Sequence, residues 1–330
     1  MQTKITIIIP VYKSESYINK CLESVASQTF QDWECILIDD GSPDNSGKIC
    51  DLFATRDSRF VVKHKVNEGV SSARQCGVDM ATGEYIIHVD PDDWIESTML
   101  EELYGRAQIN SADIVIFDLS IDREYGSKRL IQKPHALNSA VVRKQILLQE
   151  LHGGCCNKLI RARLYKNGVK FPKQMTCWED QFVICNILEN SQLVIDYIDK
   201  AFYHYVFYGN DNSLSRKPNR KTLDSQIFMI NNLSSHNTNG EIFYKLKEKT
   251  KVLCAAINDD PISLYPEINN EFLCRNSLSL SNPYNNKVIL LLSGYNTRIV
   301  SLWTSIHIFV LNIAKSLIYV VAKIYTALLK

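Results

Sequence analysis

At 330 residues, with 45% hydrophobic and 22% charged, the chain is long enough for one large domain or two ordinary ones, and its composition excludes disorder on a large scale. A formal charge of +1 excludes a global field that would draw nucleic acid, so an anionic ligand has to be met by local groups. Ten cysteines occur without a CxxC pair and Cys155 adjoins Cys156, which indicates neither a zinc site nor a disulfide framework, and points to reduced thiols.

Met1-Gln2-Thr3-Lys4 leads straight into a strand-like run, without the pattern of a secretory signal, so a cytoplasmic protein is expected. Ile5 to Pro10 is β-branched, too short for a helix and ended by proline, which reads as a buried strand. Tyr17, Ile18, Cys21, Leu22 and Val25 then fall at helical spacing, with Ser14 or Ser16 available as N-cap. Trp33 to Ile38 is a second strand, closed by Asp39-Asp40-Gly41-Ser42, and Ile49, Leu52 and Phe53 mark a second helix. Phe60 to His64 is a third strand, Asn67-Glu68-Gly69 a turn, and Val70 to Ala81 a third helix. A fourth strand, Glu84 to Val89, stops at Asp90-Pro91-Asp92-Asp93; a helix over Met99 to Ala107 and a strand over Asp113 to Leu119 follow. Strands alternating with helices predict an α/β, doubly wound, mostly parallel sheet that binds its ligand at the carboxyl ends of the strands.

The acidic stretch sits at such an end. Three carboxylates within four residues repel one another, so the group is stable if a cation shares it or if water solvates it fully. The pattern by itself leaves both readings open. The first strand-to-helix turn, Pro10-Val11-Tyr12-Lys13-Ser14-Glu15, has no glycine and cannot be the GxGxxG cradle of a dinucleotide enzyme; GxxxxGK[ST] is absent as well.

Pro10-Val11-Tyr12, Ser27-Gln28-Thr29, Ile38-Asp39-Asp40-Gly41-Ser42, Asn67-Glu68-Gly69, Ala73-Arg74, Gly83-Glu84-Tyr85 and Asp90-Pro91-Asp92-Asp93 resemble, in order and spacing, the nucleotide-binding half of the family-two inverting glycosyltransferases. The resemblance runs through about the first 120 residues. It resumes at Asn157-Lys158-Leu159 with Arg161, Phe171-Pro172, Trp178-Glu179-Asp180, Tyr205 and Ser213-Leu214-Ser215, then fades beyond about residue 220. Lys13, where asparagine is frequent, and Cys76 depart from the family's commonest wording.

The resemblance implies the type-A glycosyltransferase fold and the transfer of a sugar from a nucleotide-sugar donor, UDP-linked by preference, to a hydroxyl acceptor. It implies that Asp40 accepts from uracil, with the Pro10-Val11 backbone and the Tyr12 ring flanking the base, and that Arg74 meets the diphosphate. Asp92 becomes the likeliest ligand of Mn2+ or Mg2+, Asp90 reaches the ribose or the metal, and Asp93 supports the site. Asp180, opening a helix through Val183, Ile184, Ile187 and Leu188, becomes the catalytic base; a carboxylate at a helix start is also a common cap. Lone histidines and cysteines such as His152, His204 and Cys155-Cys156 read as core, and Lys158 and Arg161 as solvated or, alternatively, as contacts for an anionic acceptor. The rivals are a sugar nucleotidyltransferase, whose glycine-rich opening is missing, and an inactive nucleotide-sugar-binding scaffold tethered to a membrane.

Helical patches at Ile227 to Asn232 and Phe243 to Ala256, with polar loops around Asn237 to Gly240 and Asn282 to Asn286, predict a helical annex. From Ile299 the chain is nearly all apolar, but Lys315 and Lys323 interrupt it short of the ~20 residues that span a bilayer. On a helical projection Ser301, Thr304, Ser305, Asn312, Lys315, Ser316, Lys323, Thr326 and Lys330 share about one third of the circumference, with His307 outside it, opposite Trp303, Ile306, Phe309, Val310, Ile313, Leu317, Val320, Val321, Ile324 and Leu328. That pattern predicts a helix lying on an anionic membrane surface, on its cytoplasmic face, with a packed or partner-binding helix and a true span as the alternatives, and a saccharide or lipid-linked saccharide as acceptor. The expected organisation is a catalytic domain over 1–220 (donor half 1–120, acceptor half 121–220), a helical annex over 221–298 and a membrane-surface helix over 299–330.

Overall fold

A computed structural model describes residues 3–207, 219–233, 240–257, 260, 261, 263–269, 272, 276, 282–292, 300, 301 and 303–311. Ser213-Leu214-Ser215, the turn at 237–239 and the expected membrane helix beyond Leu311 lie outside the described residues.

Strand β1 (Ile5–Val11) is the axis of the first half. It pairs in parallel with β2 (Trp33–Asp39) on one side and with β4 (Tyr85–His88) on the other, and β2 pairs in parallel with β3 (Phe60–His64). Because side chains alternate across a strand, β1 serves two layers. Ile5, Ile7, Ile9 and Val11 enter one core with residues of α1 (Ile18–Ala26), α2 (Ser46–Arg56) and α4 (Met99–Ile109). Ile8, on the opposite face, meets α3 (Val70–Met80) at Gly77, where a Cβ would lie 2.4 Å from Ile8 Cγ2, so only glycine admits this approach. A strand apolar except for Thr6, whose hydroxyl donates to Glu34 Oε1 at 2.6 Å, and buried on both faces is what a doubly wound sheet requires.

The sheet continues through β6 (Ile114–Arg123), expected over Asp113 to Leu119, and through strands that the sequence pattern does not announce: β5 (Trp94–Ile95), β7 (Gly126–Leu130), β8 (Lys158–Arg161) and β9 (Ile195–Val206). The described strands run in the order β3-β2-β1-β4-β8-β6-β9-β5, with β7 on β6. The β8 strand is antiparallel to both β4 and β6, whereas β6 and β9 are parallel. Helices α5 (Ser139–Leu147), α6 (Ala162–Lys166) and α7 (Glu179–Ile187) complete this half.

Local details depart from expectation in two places. Neither Ser14 nor Ser16 caps α1 by its side chain: the cap position is Tyr17, and the Ser14 carbonyl accepts from the Tyr17 and Ile18 N–H groups. The stretch from Asn282, expected as a loop, instead opens a helix. Asn282 Oδ1 accepts from the Asn285 N–H at 3.0 Å, and Pro283 takes the first helical position, where its missing N–H costs nothing.

The chain divides into two compact units, one of Met1–Lys217 with Asp224–Ile242, the other of Pro218–Leu223 with Phe243–Lys330. The second is helical where it is described. It contains most of α9 (Gly240–Ala256) and all of α10 (Pro283–Leu292), with Ala255, Phe272, Val288 and Ile289 as a small core. Helix α8 is Arg220–Asn232. Among the described residues no helix is long and apolar enough to cross a membrane.

The β3 edge of the sheet carries a titratable clamp. His64 contacts Asp39 through Nδ1 at 2.8 Å and Asp51 through Nε2 at 3.0 Å, and these two carboxylates raise its pKa above the ordinary 6.5. A raised folded-state pKa stabilises fully below the unfolded value and is lost as pH rises through the folded one. Thermal melts of the wild type should therefore lose stability as pH climbs from about 6.5 through that window, and His64→Gln should lose this slope. Identical pH profiles for the two proteins would refute the clamp.

Candidate functional site

The carboxyl ends of β1, β2 and β4 lie side by side. Val11 pairs with Asp39, and the Asp40 N–H donates to the Val11 carbonyl at 2.9 Å, which brings Pro10-Val11-Tyr12 against Asp39-Asp40. Tyr12 is 44% exposed. Lys13 adopts a left-handed backbone (φ 53) and donates its N–H to Ser42 Oγ; asparagine, which tolerates that conformation, is the residue that the family resemblance leads one to expect there. Asp40 is buried yet well supplied: Oδ1 accepts from Lys65 Nζ at 2.7 Å and the Glu68 N–H at 3.0 Å, and Oδ2 accepts from the Gly69 N–H at 2.8 Å. A carboxylate offers about four acceptor positions, so these contacts leave one on Oδ2.

The acidic stretch is a tight turn, closed by the Asp93 N–H donating to the Asp90 carbonyl at 3.1 Å with Pro91 preset at its second position. Its carboxylates are not equivalent. Asp93 is 2% exposed and points inward, where Oδ2 accepts from the Tyr203 hydroxyl at 2.6 Å and Oδ1 from the Val206 N–H at 2.8 Å. Burial first, and then the nearby Asp92 and Asp90, push its pKa well up. The Tyr203 oxygen also accepts from the Asp90 N–H at 3.0 Å, so one hydroxyl pins both ends of the turn to β9. Asp90 and Asp92 are left partly exposed. Among the described residues no set of three or more metal-binding side chains could hold an ion unaided. Two partly exposed carboxylates do fit a hard divalent cation that completes its shell with phosphate oxygens and water.

Across from the turn, α7 begins abruptly. Trp178 takes a left-handed conformation (φ 58, ψ 17), and Glu179 and Asp180 occupy the first turn. Asp180 is partly exposed in the first turn, and its Oδ1 accepts from the Gln181 N–H at 2.8 Å. A Cβ on Gly154 would stand 3.1 Å from Asp180 Oδ2 and 2.4 Å from the His152 ring, so glycine keeps this approach open. Burial, and then the Lys158 ammonium, lower the His152 pKa to about 4, which keeps the ring neutral beside Asp180. Glu179 is 3% exposed; burial lifts its pKa to about 7 against the pull of Arg74.

Arg74 joins the two sides. Its Nη2 donates to Asp90 Oδ1 at 2.7 Å and its Nη1 donates to Glu179. Of the residues expected from the sequence, Pro10, Val11, Tyr12, Asp40, Asp90 and Asp92 thus share one edge of the sheet, and Arg74 links that edge to the segment bearing Asp180. Lys158 is neither solvated nor available to a ligand: its ammonium donates to the His152 and Gly154 carbonyls and to Asn157 Oδ1, which shapes the loop beside Asp180. Arg161 pairs with Glu84 and Asp113. His204 contacts Asp122 and Glu96 and stacks on Trp94 at 3.5 Å. Sequence reasoning overlooked Tyr203, Glu179 and the place of His152, since a tyrosine in a strand and a glutamate beside an aspartate carry no distinguishing signal.

Two substitutions probe this geometry. Tyr203→Phe leaves the Asp90 N–H and Asp93 without their shared partner, and urea unfolding should register a loss of about 1–3 kcal/mol; an unchanged midpoint would exclude the pin. Lys13→Asn should raise stability by roughly 0.5–1 kcal/mol by relieving a left-handed lysine, and a lower midpoint would contradict that origin of the strain.

The glycosyl transferase family 2 model matches residues 6–168. The glycosyltransferase EpsJ of Bacillus subtilis, described as uncharacterized, is 30% identical over 232 residues, 68% of this chain and 66% of EpsJ. The chain spans smaller shares of other curated relatives, 39% and 16% of two from Streptococcus pneumoniae. Among solved structures, Staphylococcus aureus TarS 1–349 in complex with UDP-GlcNAc superposes with a TM-score of 0.61 at 19% identity, covering 88% of this chain and 80% of that one. The mannosyltransferase PcManGT of Pyrobaculum calidifontis, in complex with GDP-Man and Mn2+, superposes with a TM-score of 0.56 at 12% identity, covering 94% and 86%. The ordered strand-end residues, the doubly wound sheet and these matches agree: the chain belongs to glycosyl transferase family 2.

Proposed function

We propose that the protein transfers one sugar from a UDP-sugar to a hydroxyl acceptor, with inversion at the anomeric carbon. One observation carries this reading: a strand-end edge bearing Asp40, Asp90 and Asp92 is joined, through Arg74 and its contact with Glu179, to the segment on which the next residue, Asp180, is a partly exposed carboxylate. Binding a nucleotide-sugar needs the first group alone; moving its sugar to an acceptor needs a base as well.

In this reading Pro10, Val11 and the Tyr12 ring flank the base, and Asp40 receives a nucleobase N–H. The one acceptor position left on Asp40 suits the single imide N–H of uracil and is one short of the paired N–H donors of guanine. Asp92 and Asp90 would hold Mn2+ or Mg2+, and the ion when bound would neutralise charge on the departing diphosphate. The metal seen with PcManGT and the UDP-GlcNAc seen with TarS support the choice of ligands. Asp180, steadied through Oδ1 by the Gln181 N–H, takes the acceptor proton on Oδ2. The acceptor is a saccharide or lipid-linked saccharide at the cytoplasmic face of a membrane. Support comes from helical residues 303–311, where Trp303, Ile306, Phe309 and Val310 are exposed, ahead of a lysine-bearing apolar tail.

Three measurements test these assignments. Asp180→Asn should abolish UDP-sugar turnover while UDP binding by calorimetry stays intact; normal turnover would remove the base. Wild-type protein should bind UDP more tightly than GDP, and equal affinities would overturn the acceptor-position argument at Asp40. A chain ending at Arg298 should no longer sediment with anionic vesicles, and continued sedimentation would show that the tail is not the anchor.

A further inference from the structure

We infer that Arg74 is a positioning residue: it holds the start of α7, and with it the Asp180 carboxylate, in register with the acidic turn that ends β4. The inference rests on the transferase reading, because it gives Arg74 a part in that reaction.

The Arg74 side chain is 8% exposed, and both arms of its guanidinium are committed, Nη2 to Asp90 and Nη1 to Glu179. Its Nε is buried and makes no hydrogen bond among the described residues, so this nitrogen offers a phosphate arriving from solvent no approach. A diphosphate could recruit the fork only by taking it from a carboxylate. For Glu179, which is 3% exposed, that would leave a buried charge uncompensated, a costly change.

What the fork does hold is a junction under strain. Trp178 keeps a left-handed backbone that a bulky residue retains only where its surroundings enforce it. Glu179 follows directly, then Asp180. Anchoring Glu179 to Arg74 fixes the direction in which α7 leaves that junction, and anchoring Arg74 to Asp90 refers this direction to the turn that carries Asp92. The contacts are long-range in sequence: Glu179 lies 105 positions after Arg74 and Asp90 lies 16 positions after it. Only a planar fork with parallel donors spans two carboxylates in fixed geometry; an ammonium is a single point charge. Displacing a base by about an ångström can cost on the order of a hundredfold in rate.

The test uses the full chain with Mn2+, UDP as binding probe and UDP-glucose, UDP-galactose and UDP-GlcNAc as turnover probes. Arg74→Lys keeps a positive charge but not the fork, and Glu179→Gln keeps a hydrogen-bonding side chain but not the charge. Positioning predicts that both variants bind UDP within about twofold of wild type while kcat falls by roughly a hundredfold. If UDP affinity falls in step with kcat/KM in Arg74→Lys while Glu179→Gln turns over normally, Arg74 is a diphosphate ligand and the inference fails. Wild-type kcat in Arg74→Lys defeats it too. Should Glu179→Gln fail to fold, as a melt would reveal, Arg74→Lys decides alone by its split between kcat and UDP affinity. A wild type that neither binds UDP nor turns over any of the three donors overturns the transferase reading and this inference together, whereas a turning-over wild type with indifferent variants overturns the inference alone.

Discussion

The Arg74 guanidinium between Asp90 and Glu179 is the contact on which the site depends. Carboxylates converge here from two distant parts of the chain, Asp90, Asp92 and Asp93 from the turn after β4, Glu179 and Asp180 from the start of α7. Like charges gathered in a partly dry space repel, and each resists burial. One buried cation lying between the two groups answers both. It permits Glu179 to be buried, and it leaves Asp92 and Asp180 partly exposed, where ligands can reach them.

The acidic turn shows the same division of labour on a smaller scale. Asp93 gives up its availability to the inside of the molecule, where Tyr203 and Val206 satisfy it, and that anchoring is what steadies its neighbours at the surface. Asp40 combines both roles in one side chain. Its contacts with Glu68 and Gly69 tie the end of β2 to the start of α3, the helix that carries Arg74, so Asp40 and the charge bridge share a helix. Lys158 acts by similar means from below: three hydrogen bonds from one ammonium fold the loop whose glycine lets Asp180 and His152 approach each other. The partly exposed carboxylates thus stand on buried polar contacts.

The first half of the fold was legible because its signals are local. Strands β1 to β4 are short apolar runs, their helices have helical spacing, and the turns between them carry Asp, Gly and Pro; the boundaries fall within a residue or two of those expected. The second half was not, and its charged strands show why. The four residues of β8 open with Lys158 and close with Arg161, and β9 includes Asp196, Asp199, Lys200 and His204. Such residues read as surface until their partners are known, and the partners, Glu84, Asp113, Asp122 and Glu96 among them, come from distant parts of the chain. The loop expected at Asn282 was misread for a related reason, since asparagine followed by proline serves equally to turn a chain and to start a helix.

By itself the sequence determined the class of sheet, the chemical types gathered at its strand ends, and the candidate set Pro10, Val11, Tyr12, Asp40, Arg74, Asp90, Asp92 and Asp180. These follow from periodicity and from an ordered family pattern, both properties of residues near one another in the chain. Only the tertiary structure decided what each carboxylate does. It turned Asp93 inward and left Asp92 outward, buried Glu179 while leaving its neighbour Asp180 partly exposed, and set Arg74 between two acids. Those choices depend on burial and on contacts across long separations in sequence, and neither is encoded in the identity of an aspartate or an arginine.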